Sequence, residues 1–219
     1  LRRRADPPRL RRSPGATRGT ARDKLLDAAL SLIRRQGFAA TSVDQLCAEA
    51  EVTKGAFFHH FPSKEALAVA AAAHWTDTTG ALFAAAPYHD APDPLDRVIA
   101  YLEFRKALLR GGVPEFTCLL GTMVQETYDH SDAIREACDL GISGHAKTLE
   151  ADIAAAMAAH GVTGPTPESL ALHSQAVIQG GFILAKARGG ADAAAETIDH
   201  LITYIRLLFA APKEGHSHA

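Results

Sequence analysis

The sequence predicts an all-α protein, and three observations carry that expectation. Apolar residues recur at spacings of three and four, the period of an amphipathic helix, and no stretch alternates as a strand does. A Ser, Thr or Asp stands before several of these apolar runs, with Pro or an acidic residue in the first turn, and glycines follow them. Alanine, leucine and charged residues dominate the 219 residues, while aromatic residues make up only 6%. A chain of this length buries a proper core and fits one or two domains.

Taken in order, residues 1–19 (LRRRADPPRLRRSPGATRG) are rich in Arg, Pro and Gly with almost nothing to bury, and are expected to be a disordered basic arm. The first helix spans residues 20–36: Thr20 and Asp23 form a capping-box pattern, Leu25, Leu26, Ala29, Leu32 and Ile33 make the buried stripe, and Gly37 ends it. Thr41 and Asp44 repeat the capping pattern before Val43, Leu46, Cys47 and Ala50, so a short second helix is expected there. After the turn Ala50-Glu51-Val52, Thr53 caps a third helix over residues 54–60. Pro62 stops it, because the residue before a proline is pushed out of helical geometry. Ser63 caps a long alanine-rich helix reaching about Ala85. Asp93-Pro94 opens a helix to Arg110, stopped by Gly111-Gly112. Helices over 115–129 and 131–160 follow, the second bent or weakened at Gly141 and Gly144. Thr166-Pro167 caps a helix to about Arg188. After Gly189-Gly190 a last helix carries Ile198, Leu201, Ile202, Ile205, Leu208 and Phe209, more apolar surface than one small bundle can cover.

Several function classes drop out on composition. The longest uncharged apolar run is too short to span a bilayer, and Arg11-Arg12 lacks the apolar segment of an export signal, so neither a membrane partner nor export is expected. Three scattered cysteines, Cys47, Cys118 and Cys138, do not make a disulfide framework and fit a reducing cytoplasm. The histidines lack the spacing of a metal site, and no cofactor motif is present. The net charge of -2 conceals a division. Residues 1–64 carry 13 Lys/Arg against 6 Asp/Glu, and residues 65–219 carry 10 against 19, so the basic charge gathers at one end. A basic module beside an acidic one steers a single face toward phosphate.

The stretch from Thr41 to Lys64, TSVDQLCAEAEVTKGAFFHHFPSK, gives that basic end a task. Two helices joined by a turn of about three residues make a helix-turn-helix, whose second helix enters the major groove with its N-terminal residues on base edges. Those residues are Thr53, Lys54, Gly55 and Ala56: a hydroxyl, a cation and two small positions that permit close approach. His59 and His60 add ring donors. The helix starts at Thr41/Ser42 and Ser63/Lys64 present free amides suited to phosphates on either side. On this reading Lys64 serves all DNA alike, whereas Thr53 and Lys54 set the preferred sequence. The arm over residues 1–19 can lie along the minor groove and add salt-sensitive affinity.

Residues 20–75, and VTKGAFFHHFPSKEAL above all, resemble the N-terminal domain of the TetR family of one-component transcriptional regulators. The resemblance implies a three-helix DNA-binding domain over residues 20–64, with Phe57 and Phe58 on the DNA-reading helix. A larger ligand-binding and dimerisation domain over 65–211 and a flexible tail over 212–219 would follow. It also implies that the helix from Ser63 tilts when ligand binds, and that the last two helices pair with their copies in a homodimer that reads an inverted repeat. The expected partners are therefore double-stranded operator DNA, a second copy and a small-molecule inducer. Two positions depart from the family: Glu51 stands where glycine is usual, and Phe58 where a tyrosine often donates to phosphate.

FTCLLGTMVQE, residues 116–126, resembles a stretch in the branch of the family that includes acrylate- and electrophile-responsive repressors. That makes Cys118, near an expected helix start, a candidate sensor thiol; the plain alternative is a small buried residue. Tyr101, Phe104, Met123, Gln125, Tyr128, His145 and His173 are further ligand candidates by type and position. The competing class is an enzyme in which Cys118 is a nucleophile and His145 or His173 its base, but no nucleophile motif accompanies it. A helical adaptor that binds no specific DNA is the other alternative. The expectation is a regulator, a repressor rather than an enzyme.

Overall fold

The computed structural model describes residues 19–210, and among these every regular element is helical. Of the arm expected over residues 1–19 all but Gly19 lies outside the described residues, as does the tail expected over 212–219. Helix α1, Ala21–Gln36, opens as expected: Thr20 accepts the Asp23 N–H at 3.2 Å and the Asp23 carboxylate accepts the Thr20 N–H at 3.0 Å. It buries Leu25, Leu26, Ala29, Leu32 and Ile33. Helix α2, Val43–Ala50, starts one residue later than the sequence pattern suggests. Thr41 cannot cap it, because its side chain is buried and its hydroxyl donates to the Gly37 carbonyl at 2.6 Å. Ser42 caps instead, in a reciprocal box with Gln45.

The turn after α2 keeps the left-handed geometry that glycine would take. Glu51 sits at φ 54, ψ 45, the one positive-φ residue other than glycine among those described. A side chain there costs about 1 to 2 kcal/mol, and glycine's extra freedom in the unfolded chain offsets part of the gain from removing it. Glu51→Gly is therefore expected to stabilise the protein by about 1 kcal/mol and to raise Tm by about 2 to 4 °C. Thermal unfolding of the two proteins checks this; an unchanged or lower Tm contradicts it.

Helix α3, Lys54–His60, is capped by Thr53, which accepts the Ala56 N–H at 3.1 Å, and ends where Phe61 turns extended before Pro62. Helix α4, Lys64–Ala84, is capped by Ser63. A 3-10 turn at Pro87–Asp90 leads to α5, Pro94–Ala107, capped by Asp93. Two long helices expected from periodicity are each broken. In place of one helix over 115–129 there is a short α6, Val113–Phe116, and then α7, Leu119–Thr127. Pro114 starts α6 early, Thr117 is extended, and the Cys118 sulfur accepts the Gly121 N–H at 3.4 Å to begin the chain again. In place of one helix over 131–160 there are α8, Asp132–Lys147, and α9, Glu150–His160. The break falls at Thr148 and Leu149, where the Thr148 hydroxyl donates to the His145 carbonyl at 2.7 Å, and not at either glycine. Gly141 marks a close approach: a Cβ there would lie 2.3 Å from Leu120 Cδ1 and 2.5 Å from Thr76 Oγ1. Helices α10, Pro167–Arg188, and α11, Asp192–Ala210, complete the chain. No helix among the described residues is long and apolar enough to cross a membrane.

By packing, the chain forms two units, residues 19–85 with 110–144 and residues 86–109 with 145–210. The first has one continuous core, in which Leu25 and Ile33 of α1, Leu46 of α2, Phe57 of α3, Leu67 and Ala71 of α4, Leu119 and Met123 of α7, and Ile134 and Cys138 of α8 are buried together. In the second, α10 packs along α11 and α5 lies against α9 and α11. Ion pairs fasten α5 on both sides, Arg97 to Asp152 at 2.7 Å and Lys106 to Asp199 at 2.6 Å.

Candidate nucleic-acid interface

A seven-residue helix cannot hold itself together in water, so α3 depends on what it packs against. Phe57 supplies the anchor. It is fully buried, with its ring 5.1 Å from Phe58 and 6.1 Å from Phe61. With that side fixed in the core, Thr53, Lys54, Gly55, Phe58 and His59 are exposed and His60 is half-buried against His59, ring centroids 4.9 Å apart. A Cβ on Gly55 would meet only the Thr53 hydroxyl within 4 Å, so another molecule can come close to the backbone there. Ser42, at the start of α2, is exposed as well.

Three residues named from sequence have other occupations. Thr41 and Phe57 are buried, so their side chains support the surface instead of forming it. The Lys64 ammonium points inward, donating to the Phe38 and Thr41 carbonyls at 3.0 Å each and lying 4.2 Å from the centre of the Phe38 ring. Burial lowers its pKa, and the nearby Glu126 charge opposes that. Asp44, read from sequence as a cap partner, instead takes the Lys54 ammonium at 2.6 Å across α2 and α3. That hydrogen bond, and then the charge of Asp44, raise the Lys54 pKa. Asp44 lies ten residues earlier, in another helix, so no local pattern pointed to it.

The ligand candidates divide between the two units. In the first, Met123 is buried, Gln125 and Tyr128 are exposed, and Cys118 is half-buried at the start of α7. Arg34 lies near Cys118; burial lowers the Arg34 pKa, and the Cys118 and Glu115 charges oppose that shift. Burial pushes the Cys138 thiol up to about 12 and raises that of Cys47. In the second unit Tyr101, Phe104 and His145 come together. The fully buried Tyr101 hydroxyl accepts from the Gln175 amide at 2.9 Å and lies 3.0 Å from His145 Nε2. Tyr88 packs its ring 5.5 Å from Tyr101 and 6.0 Å from Phe104. Gln175 and Tyr88 were missed from sequence, since nothing local distinguishes them from other buried helix positions. His173 is exposed and stands apart, its ring 5.4 Å from that of Tyr204.

Helices α2 and α3, joined at Glu51 and seated on α1 and α4, are a helix-turn-helix head, and a further set of helices follows it. This is the architecture of a bacterial helix-turn-helix transcriptional regulator. Residues 25–71 match the family of bacterial regulatory proteins, tetR family, and residues 94–197 match the C-terminal domain of LmrA/YxaF-like transcriptional regulators. The chain belongs to the TetR family. It is 29% identical over 128 residues to the transcriptional regulator LmrA of Bacillus subtilis, a match covering 55% of this chain and 64% of LmrA. It is 30% identical over 140 residues to the transcriptional repressor NemR of Escherichia coli, covering 58% of this chain and 64% of NemR. The chain thus spans a little under two thirds of either relative. The crystal structure of reduced NemR superposes with a TM-score of 0.73 at 24% identity, over 84% of this chain and 95% of that one. A TetR-family regulator from Agrobacterium tumefaciens gives 0.75 at 20% identity, over 84% and 97%. At these identities the two structures establish the fold.

Proposed function

We propose that the protein is a homodimeric repressor that reads an inverted-repeat operator through α3 and is released from it by a small molecule. The observation that carries this reading is the division of α3 into a buried anchor, Phe57, and an exposed start, Thr53, Lys54 and Gly55. On the same reading residues 20–64 serve DNA and residues 65–211 serve ligand and dimer, with Ser42 and the exposed histidine His59 on flanking phosphates. Repression follows the relative NemR, which is named a repressor. The second copy covers α10 and α11, where Leu172, Ile183, Leu184, Tyr204 and Leu207 are exposed. Large apolar side chains gathered on two adjoining helices mark an interface. A Cβ on Gly180 would meet nothing within 4 Å, which leaves room for another backbone. A twofold dimer sets its reading helices about 34 Å apart, one turn of DNA.

Inducer acts by population shift, favouring a conformer in which α4 holds the heads at the wrong separation. A coupling of about 1 to 3 kcal/mol weakens operator binding roughly 5- to 150-fold. Tyr101, Phe104 and His145 are the ligand candidates that lie together. Cys118, the half-buried cysteine of the three, is the candidate for a reactive inducer.

Binding of labelled duplexes over a range of salt tests the proposal. Affinity should fall steeply as salt rises, and Lys54→Ala should change which sequence is preferred, relaxing discrimination by about 1 to 3 kcal/mol at one base pair. An enzyme or adaptor shows no sequence-selective binding. Unchanged preference in Lys54→Ala means α3 is not the reading helix.

A further inference from the structure

The segment from α6 to the start of α8 is fastened to the DNA-reading head at three points, all inside the first unit. Arg34 of α1 donates to the Glu115 carbonyl at 3.2 Å, with its guanidinium 4.9 Å from the centre of the Trp75 ring. Ser131, buried ahead of α8, donates to the Glu65 carboxylate on the first turn of α4. Between these, Glu126 on the last turn of α7 accepts the Ala39 N–H at 2.7 Å.

The Glu126 contact reaches the short connection between α1 and α2. Gly37 makes room for it: the residue lies at φ 90, ψ 164, a region essentially confined to glycine, and a Cβ there would stand 2.2 Å from Glu126 Oε1. Lys64 holds the same connection from α4, through the Phe38 and Thr41 carbonyls. Gln36 closes it from α1, donating to the Ala40 carbonyl at 3.0 Å and to Gln45 of α2 at 3.2 Å. The connection therefore has an amide and three carbonyls gripped by side chains from α1, α4 and α7, and it delivers the chain directly into the Ser42 cap of α2.

We infer that Glu126 is a positioning residue which sets the α2–α3 pair on α1 by holding the Ala39 amide from α7. The DNA half of this rests on the function proposed above. Helix α7 is nine residues long and buries Leu119, Leu120 and Met123 in the same core as α1, so the carboxylate on its last turn is held by a packed element. The α4 lever and this latch act on the same head from different sides.

Amide hydrogen exchange on the full chain, read by residue for wild type, Glu126→Ala and Glu126→Gln, tests the inference. In Glu126→Ala the Ala39 amide loses its acceptor, and exchange should rise about tenfold over residues 38–42 and spread through residues 43–60, while residues 150–205 are unchanged. Glu126→Gln keeps an oxygen for Ala39 and should restore most of the protection, which mere loss of packing does not predict. The affinity of Glu126→Ala for a duplex that wild type selects should fall about five- to tenfold. Faster exchange confined to residues 38–42, or none, overturns the positioning role whatever the DNA result. If wild type selects no duplex, the DNA reading fails, and the spread of exchange into residues 43–60 still decides the role of Glu126.

Discussion

Phe57→Ala is expected to cost about 3 to 5 kcal/mol, the range for removing a fully buried phenylalanine. Phe57 has no exposed surface, and it is the buried side chain of a seven-residue helix, so α3 has little else to hold it. Its ring meets Phe61 at the helix end and belongs to the core shared by α1, α2, α4 and α7. At about 2 to 4 °C per kcal/mol for a chain of this size, Tm should fall by roughly 6 to 20 °C. Operator binding should disappear at temperatures where most of the helix content remains, because α3 loosens before the rest. Thermal unfolding by circular dichroism alongside duplex binding measures both. A fall of only a degree or two, with binding intact, shows that α3 is held in some other way.

Acidification should destabilise the protein through His145. Burial, and then the Arg105 charge, push its pKa down to about 3 from 6.5. The Tyr101 hydroxyl, which accepts from Gln175, lies within hydrogen-bond distance of His145 Nε2, and burial together with the Arg105 charge favours the neutral ring. An unfolded chain takes up a proton on this histidine near pH 6.5, and the folded chain does so only near pH 3. Between those values the unfolded state binds more protons. The contribution is therefore fully present above pH 6.5 and is lost as pH falls through the window. Its slope approaches 1.4 kcal/mol per pH unit, so moving from pH 7 to pH 5 removes about 2 kcal/mol. Denaturant unfolding at the two pH values should show that loss in wild type and a loss smaller by about 2 kcal/mol in His145→Gln, which keeps a hydrogen-bond partner for Tyr101. Equal losses in the two proteins place the acid sensitivity elsewhere.

How much of this was legible in the sequence depended on the distance over which each feature is decided. Thr53 and Pro62 fix α3 through local rules, and both ends of that helix fall where the pattern puts them. At Glu51, where the family usually has glycine, the sequence alone left open how the turn is built, and the turn keeps the left-handed geometry with a side chain in place. The start of α2 was misplaced by one residue because burial, which a local pattern does not show, had already committed Thr41 to Gly37. Gly141 looked like a weak point in a helix, yet its missing side chain serves Leu120 and Thr76, while the true break at Thr148 has no glycine to mark it. Among the candidate functional groups, periodicity could show that α3 has an inside and an outside. It could not show that Lys64 faces inward, that Asp44 holds Lys54, or that Glu126 grips a backbone amide 87 residues away. Those are facts of tertiary packing, which brings together residues that no sequence window contains.

The most direct measurement is selection from a random pool of duplex DNA by the purified protein at near-physiological salt, followed by sequencing of what is retained. Enrichment of an inverted repeat with half-sites about one helical turn apart is the expected result, and it would establish sequence reading and twofold symmetry together. No enriched sequence at any salt concentration would contradict the proposal that α3 of this chain reads DNA.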